Sequence, residues 1–332
     1  MKRIITLFLT LALTLSLAAC AAPGEKADDG KLQIVATLFP YYDFARAIAG
    51  GRADVTLLLS PGREAHSFEP TPLDAVTISE ANVFLYNGGE GEYWVEEMLD
   101  AAGEHIAVKA RMMDYVDALG EEFSEGMQGA DEHDHDHDHS DHDHDHEEDE
   151  HDSDEIEYDE HIWTSPKNAA ILCRAVCEAI CKADPANEDF YRANCDDYCA
   201  QIEALDARFA DLCESAPRKL LIFADRFPML YFCREYGLDY RAAFHGCSGD
   251  TEPSLATIKF LIDKVEDENI PVVYTIDFGT KKVAAVVSEC TGAAIETIYS
   301  MQTVSRADFD AGETYLTLME RNFEALRKGL NE

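Results

Sequence analysis

The sequence predicts an α/β fold made of two domains, each a mainly parallel β-sheet flanked by helices, bridged by a long linking helix. Two observations predict it. Short β-rich runs alternate with amphipathic stretches from Leu32 to about residue 165, and the same alternation resumes at Lys219. Strands and helices interleaved at these lengths imply crossover connections and parallel pairing. A third observation supplies the bridge: from Asn187 to Cys213 apolar or small residues recur at Phe190, Cys195, Tyr198, Ile202, Leu205, Phe209 and Leu212. A helix of that span is about 40 Å long.

Taken in order, residues 32–37 read as a strand, Tyr41–Ala49 as a helix, and Val55–Leu59 as a strand stopped by Pro61 and Gly62. A helix near 72–80 follows, then the strand Val83–Tyr86, the turn Gly88-Gly89, a helix near 92–102 and a strand over 105–109 begun by His105. Pro166–Cys181 reads as helix and ends near Asp184-Pro185. In the second half, strand Lys219–Ala224 leads to helix Pro228–Tyr236, and strand Tyr240–Phe244 to helix Leu255–Val265, with Pro253 at its start. Strand 271–276, helix 280–291 and strand 294–299 complete the alternation, and one charged helix from Phe309 to about Lys328 closes the chain.

Two segments stand outside this pattern. Lys2 and Arg3 precede an apolar run from Ile4 to Ala19 that is too short for a comfortable membrane span and has the form of an export signal. Its end, Leu17-Ala18-Ala19-Cys20, resembles a bacterial lipobox, which makes Cys20 the expected lipidation site and residues 21–30 a tether. The expected location is therefore extracytoplasmic, anchored at the bacterial surface. Residues 131–160 hold 18 acids and no Lys or Arg, show no apolar periodicity, and are expected to form an unordered surface loop. The expected division is a signal at 1–20, a tether at 21–30, an N-terminal lobe at 31–185, a linking helix at 186–213 and a C-terminal lobe at 214–332.

Sixty-six acids against 27 bases leave a formal charge of −39, which cannot supply the cationic contacts that nucleic-acid backbones need. No nucleic-acid partner is expected, and the chain is expected to act as a monomer. Nine cysteines follow Cys20. Cys173, Cys177 and Cys181 recur every four residues, as do Cys195 and Cys199, so each set shares a helix face; buried thiols are the first reading, with a disulfide or a thiolate metal site as alternatives.

Eight of the 12 histidines lie in the acidic tract: His133, His135, His137, His139, His142, His144, His146 and His151. Imidazoles beside carboxylates attract divalent transition ions, and a flexible run of them makes an auxiliary collector without fixed geometry. Elsewhere, candidate ligands fall where strands end, the usual ligand-binding edge of a parallel sheet. His66 lies in the loop after Pro61-Gly62; His161 lies just before the helix opened by Pro166. Asp225, His245 and Asp277 follow three strands of the second domain, where Asp225 could equally be a helix cap. His105 has no evident partner and is read as structural.

The chain resembles the metal-binding lipoproteins of bacterial ATP-driven zinc and manganese uptake transporters. The resemblance rests on Cys20 and on FPYYDFARAIAG at 39–50, PGREAHSFEPTP at 61–72, DEHIWTSPKNA at 159–169, DRFPMLYFCREYGL at 225–238 and DFDAGETYLTLMERN at 308–322. It implies two lobes with the metal in the cleft between them. It further implies that His66 and His161 are the first two ligands, and that Asp225 stands where zinc members carry a histidine and manganese members often a carboxylate. The family's fourth position falls near Met301, a weak zinc ligand, which leaves His245, Asp277, water or a second Asp225 oxygen to fill it. The histidine-rich loop is typical of the zinc members, so the expected function is Zn²⁺ capture for the membrane permease of an ATP-driven importer. Mn²⁺ or broad specificity is the alternative.

Two other classes compete. A surface metal buffer or adhesin would need the histidine tract but not two lobes with ligands at strand ends. A zinc hydrolase would need a general base, for which Glu64, Glu69 or Asp277 could serve, but the sequence carries no HExxH motif, and no enzymatic activity is expected.

Overall fold

Two four-stranded sheets, both wholly parallel, carry the fold. The computed structural model describes residues 30–63, 68–128, 157–246 and 252–331. The export signal, Cys20, His66 and all eight tract histidines lie outside the described residues. Leu32–Glu332 forms one compact unit, and of the segment before it only Gly30 and Lys31 are described.

The first sheet contains β1 (Leu32–Ala36), β2 (Ala53–Leu57), β3 (Val83–Tyr86) and β4 (Val108–Arg111), in the order β2-β1-β3-β4. The second contains β5 (Leu220–Phe227), β6 (Asp239–His245), β7 (Val272–Ile276) and β8 (Ala294–Ile298), in the equivalent order β6-β5-β7-β8. The element alternation thus has its expected outcome twice over. Every residue of β7 is buried, as expected of a parallel strand covered on both faces.

Helices α1 (Phe39–Ala49), α2 (Pro72–Ser79) and α3 (Trp94–Ala102) belong to the first set of crossovers, and α6 (Leu230–Tyr236), α7 (Leu255–Asp267) and α8 (Lys282–Thr291) to the second. Between them run α4 (Pro166–Ala183) and the 28-residue α5 (Glu188–Ser215). Pro166 occupies the first turn of α4, where its missing N–H costs nothing, and Ser165 caps that turn by accepting from Asn168 N. The buried stripe of α5 follows helical spacing from Tyr191 through Tyr198, Ile202 and Leu205 to Phe209. It packs on α1 and α4 of the first half and on α6 and the last helix of the second. Among the described residues no helix is long and apolar enough to cross a membrane.

Several local expectations change. His105 ends a 3₁₀ turn at Gly103–His105, and β4 begins only at Val108. The closing helix is two: α9 (Arg306–Ala311) stops at Gly312, whose φ of +77° ends the helix, and α10 (Tyr315–Asn331) begins after Thr314 accepts from Thr317 N. Ser254, not Pro253, caps α7. The last four residues of the acidic tract, 157–160, are ordered: Glu121 N donates to Glu157 O, Asp159 N donates to Leu119 O, and Asp159 and Glu160 are buried. The Cys173, Cys177, Cys181, Cys195, Cys199, Cys213 and Cys233 thiols are free and buried, while Cys290 is exposed.

Candidate metal centre

The carboxyl ends of β5, β6, β7 and β8 meet the turn before α4 at a small cavity. It is lined by His161, Arg226, Gly246, Phe278, Gln302 and Thr303, with Pro228, Ile276 and Ser300 completing the wall. Four strand ends converge there because both sheets are parallel, so all the loops on that edge open the same way.

His161 is the most firmly held of the candidates and is almost wholly buried. Asp159 Oδ1 accepts its backbone N–H at 2.8 Å and lies 3.1 Å from its ring Nδ1. Burial tends to keep this ring neutral, but the Asp159 carboxylate outweighs it, with Glu160 and Glu121 adding, and the pKa sits above the usual value. A ring whose Nδ1–H is taken by a carboxylate presents its Nε2 lone pair, the arrangement found behind metal-bound histidines. The backbone around it is tied to other elements. Tyr231 OH donates to Asp159 O at 2.8 Å, Trp163 Nε1 donates to Ser300 O at 2.7 Å, and Tyr315 OH donates to Trp163 O at 2.9 Å.

His245 is the last residue of β6 rather than the residue after it. Its Nδ1 pairs with the Glu121 carboxylate, and its ring lies against Phe123 at 5.1 Å between centroids. It is therefore a second imidazole backed by a carboxylate. The next residue, Gly246, faces His161: a Cβ there would stand 3.1 Å from both Cε1 and Nδ1 of that ring. Gly246 lines the cavity, so His245 stands one residue from its wall, and its partner Glu121 also acts on His161 through its charge.

Asp225 lies inside β5 and not beyond its end. The pairing of β5 with β6 shifts register between Phe223 and Arg226, and this bulge re-aims Asp225 toward β7. Its Oδ2 accepts from Thr275 Oγ1 at 2.7 Å and Ile276 N at 3.3 Å, and its Oδ1 accepts from Arg226 N at 2.9 Å. It does not cap a helix. Gly279 is essential to this seat, since a Cβ there would fall 1.8 Å from Asp225 Oδ2. Asp277 joins two strand ends: its N–H donates to Ile298 O at 3.1 Å and its Oδ1 accepts from Ser300 N at 3.3 Å. Met301 is fully buried with φ at +61°.

His66 lies outside the described residues; of those on either side, Gly62 and Phe68 each have a fixed partner. Gly62 N donates to Val304 O at 2.8 Å, and Phe68 packs edge-on against Trp94. Phe68 also lines an adjoining cavity with Gln302, Glu92 and Glu160. Glu160 Oε1 accepts from Gly91 N at 2.7 Å and Glu92 Oε2 from Gly88 N at 2.9 Å. Burial raises both carboxyls, Glu92 to about 7.

Glu92 and Glu121 lie in no motif that singles them out, whereas Asp159 and Glu160 open the segment DEHIWTSPKNA. Asp159, two residues before His161, was legible as an acid near a candidate ligand. Glu121 reaches His245 only through the fold.

Residues 34–329 match the family described as ZnuA, "Zinc-uptake complex component A periplasmic". The high-affinity zinc uptake system protein ZnuA of Bacillus subtilis is 31% identical over 328 residues, covering 98% of this chain and 97% of that protein. The zinc-binding lipoprotein AdcA of Streptococcus pneumoniae is 29% identical over 329 residues, covering 99% of this chain; the chain spans 61% of that relative's length. Among solved structures, the Zn(II)-bound ZnuA-like domain of Streptococcus pneumoniae AdcA superposes with a TM-score of 0.71 at 25% identity, covering 91% of this chain and 100% of that one. The metal-dependent lipoprotein YcdH of Bacillus subtilis gives 0.72 at 27% identity, over 90% and 99%. With the family match running through nearly all of both sheets, this chain belongs to the ZnuA family of zinc-uptake components.

Proposed function

We propose that this protein is an extracytoplasmic Zn²⁺ receptor that captures the ion in its cleft and hands it to the membrane permease of an ATP-driven importer. The observation that carries the reading is the Asp159-backed ring of His161 in the cavity at the strand ends, with the Glu121–His245 pair one residue from Gly246 of its wall. Neutral imidazole nitrogen suits zinc, and the carboxylate behind each ring fixes the tautomer and raises its basicity.

In this reading His66, His161 and His245 supply three nitrogens. Asp225 supplies an oxygen through Oδ1, which accepts from the N–H of its neighbour Arg226, while Oδ2 stays committed to β7. Asp277 shapes the wall and leaves coordination to the others. The nitrogen-rich set favours Zn²⁺ over Mn²⁺. Residues 31–185 and 214–332 act as lobes joined through 186–213, and the ion stabilises their closed arrangement by binding it preferentially. The histidine tract gathers metal locally, and a lipid on Cys20, made the first residue by removal of residues 1–19, anchors a monomer through the 21–30 tether.

The test is a titration of protein lacking residues 131–156 with Zn²⁺ and Mn²⁺ against a competing chelator at neutral pH. One tightly held zinc, with manganese much weaker, is expected. Binding unaffected by both His161→Ala and His245→Ala would sink the assignment.

A further inference from the structure

The seam between α4 and α5 holds a second concentration of metal-binding chemistry, made of residues that do not line the cavity. Cys173 of α4 and Cys195 and Cys199 of α5 are buried, and their three sulfurs all lie within 4.8 Å of one another. Cys195 Sγ and Cys199 Sγ are 3.9 Å apart, and Cys177 Sγ stands 3.9 Å from Cys181 Sγ on the same seam. A tetrahedral zinc site with Zn–S bonds of about 2.3 Å requires sulfurs about 3.8 Å apart. Spacing of four residues on each helix produces this arrangement, because it stacks one thiol above the next on the facing surfaces.

We propose that Cys173, Cys195 and Cys199 form a thiolate site for a thiophilic divalent ion of the Zn²⁺ or Cd²⁺ class. Soft sulfur donors select such ions over Mn²⁺ or Mg²⁺. Cys195 holds the favoured thiolate of the group, because Cys173 first, then Cys177 and Cys199, donate toward its Sγ and Arg174 adds positive potential, while the contacts with Cys195 and burial push the Cys173 and Cys177 thiols up. An ion held here ties the start of the linking helix to α4, at the end of α5 distant from the β5–β8 sheet. Packing alone would be served as well by alanine or valine, which are not oxidised outside the cell.

The experiment uses the full chain, kept reduced, titrated with Cd²⁺ while sulfur-to-metal charge-transfer absorption is recorded. The imidazoles and carboxylates of the cleft and the histidine tract do not produce that band, and the seam variants separate it from the chain's other cysteines, such as the exposed Cys290. One equivalent with thiolate absorption is expected, retained in His161→Ala and lost or weakened at least about tenfold in Cys195→Ser and in Cys199→Ala, with melting curves confirming that both variants fold. Absence of the band from reduced, folded protein overturns the proposal. So does a mass two hydrogens lighter that maps to a Cys173–Cys195 or Cys173–Cys199 disulfide in protein isolated from its native compartment.

Discussion

Asp159 Oδ1 serves His161 twice, accepting its backbone N–H at 2.8 Å and facing its ring Nδ1 at 3.1 Å. The carboxylate thereby fixes both where the ring sits and which nitrogen is left for a ligand. Asp159→Asn is expected to weaken zinc binding by about 10- to 100-fold, the usual cost of losing a carboxylate behind a ligating histidine. A chelator-competition titration, with a melting curve to confirm the fold, checks this. Unchanged affinity would show that the ring is held by its packing against Trp163 and Gly246 alone.

Asp225 and His245 offer different donors at the ends of neighbouring strands, and their variants separate the roles. His245→Ala is expected to reduce zinc affinity by roughly 100-fold or more, and Asp225→Asn by about tenfold, since the latter keeps an oxygen at the bulge. Gly279→Ala should act like Asp225→Asn, because its added methyl would displace the Asp225 carboxylate. A larger loss in Asp225→Asn than in His245→Ala would make the aspartate the principal second-lobe ligand.

Glu92 is buried with its carboxyl raised to about 7 from 4.5. Between those values the folded state keeps a proton that the unfolded chain releases, so this group's contribution to stability falls as pH rises from about 4.5 through 7. Glu92→Gln should therefore flatten that part of the stability profile and make the protein more stable at pH 8, by up to about 3 kcal/mol. Chemical denaturation at a series of pH values measures it. A variant less stable than the parent at pH 8 would mean that Glu92 is ionised and needed in that form.

Asp43 draws three elements together from α1: Tyr198 OH of α5 donates to Oδ2 at 2.5 Å, Tyr315 N of α10 donates to Oδ2 at 2.9 Å, and Arg46 pairs with Oδ1 at 2.9 Å. Asp43→Ala would leave two buried donors without an acceptor and is expected to cost about 3–5 kcal/mol. Asp43→Asn should cost less. Equal unfolding midpoints for Asp43→Ala and the parent would show that water replaces the carboxylate.

The sequence by itself determined the two parallel α/β halves, the long helix between them, the place of His161 just before α4 and the strand-end location of His245 and Asp277. These follow from local signals: hydrophobic period, Pro and Ser at helix starts, and glycine turns. It did not determine that Asp225 lies within β5, because a bulge is a property of register between two strands and leaves no mark in either alone. Nor did it place the break at Gly312, where helix-compatible residues on both sides masked a single left-handed glycine. Only the tertiary structure decided that Glu121 backs His245 and that Gly246 and Gly279 open space for His161 and Asp225. Such contacts join residues far apart in the chain. Their reason is the common edge at which parallel strands end, which gathers side chains that local pattern cannot relate.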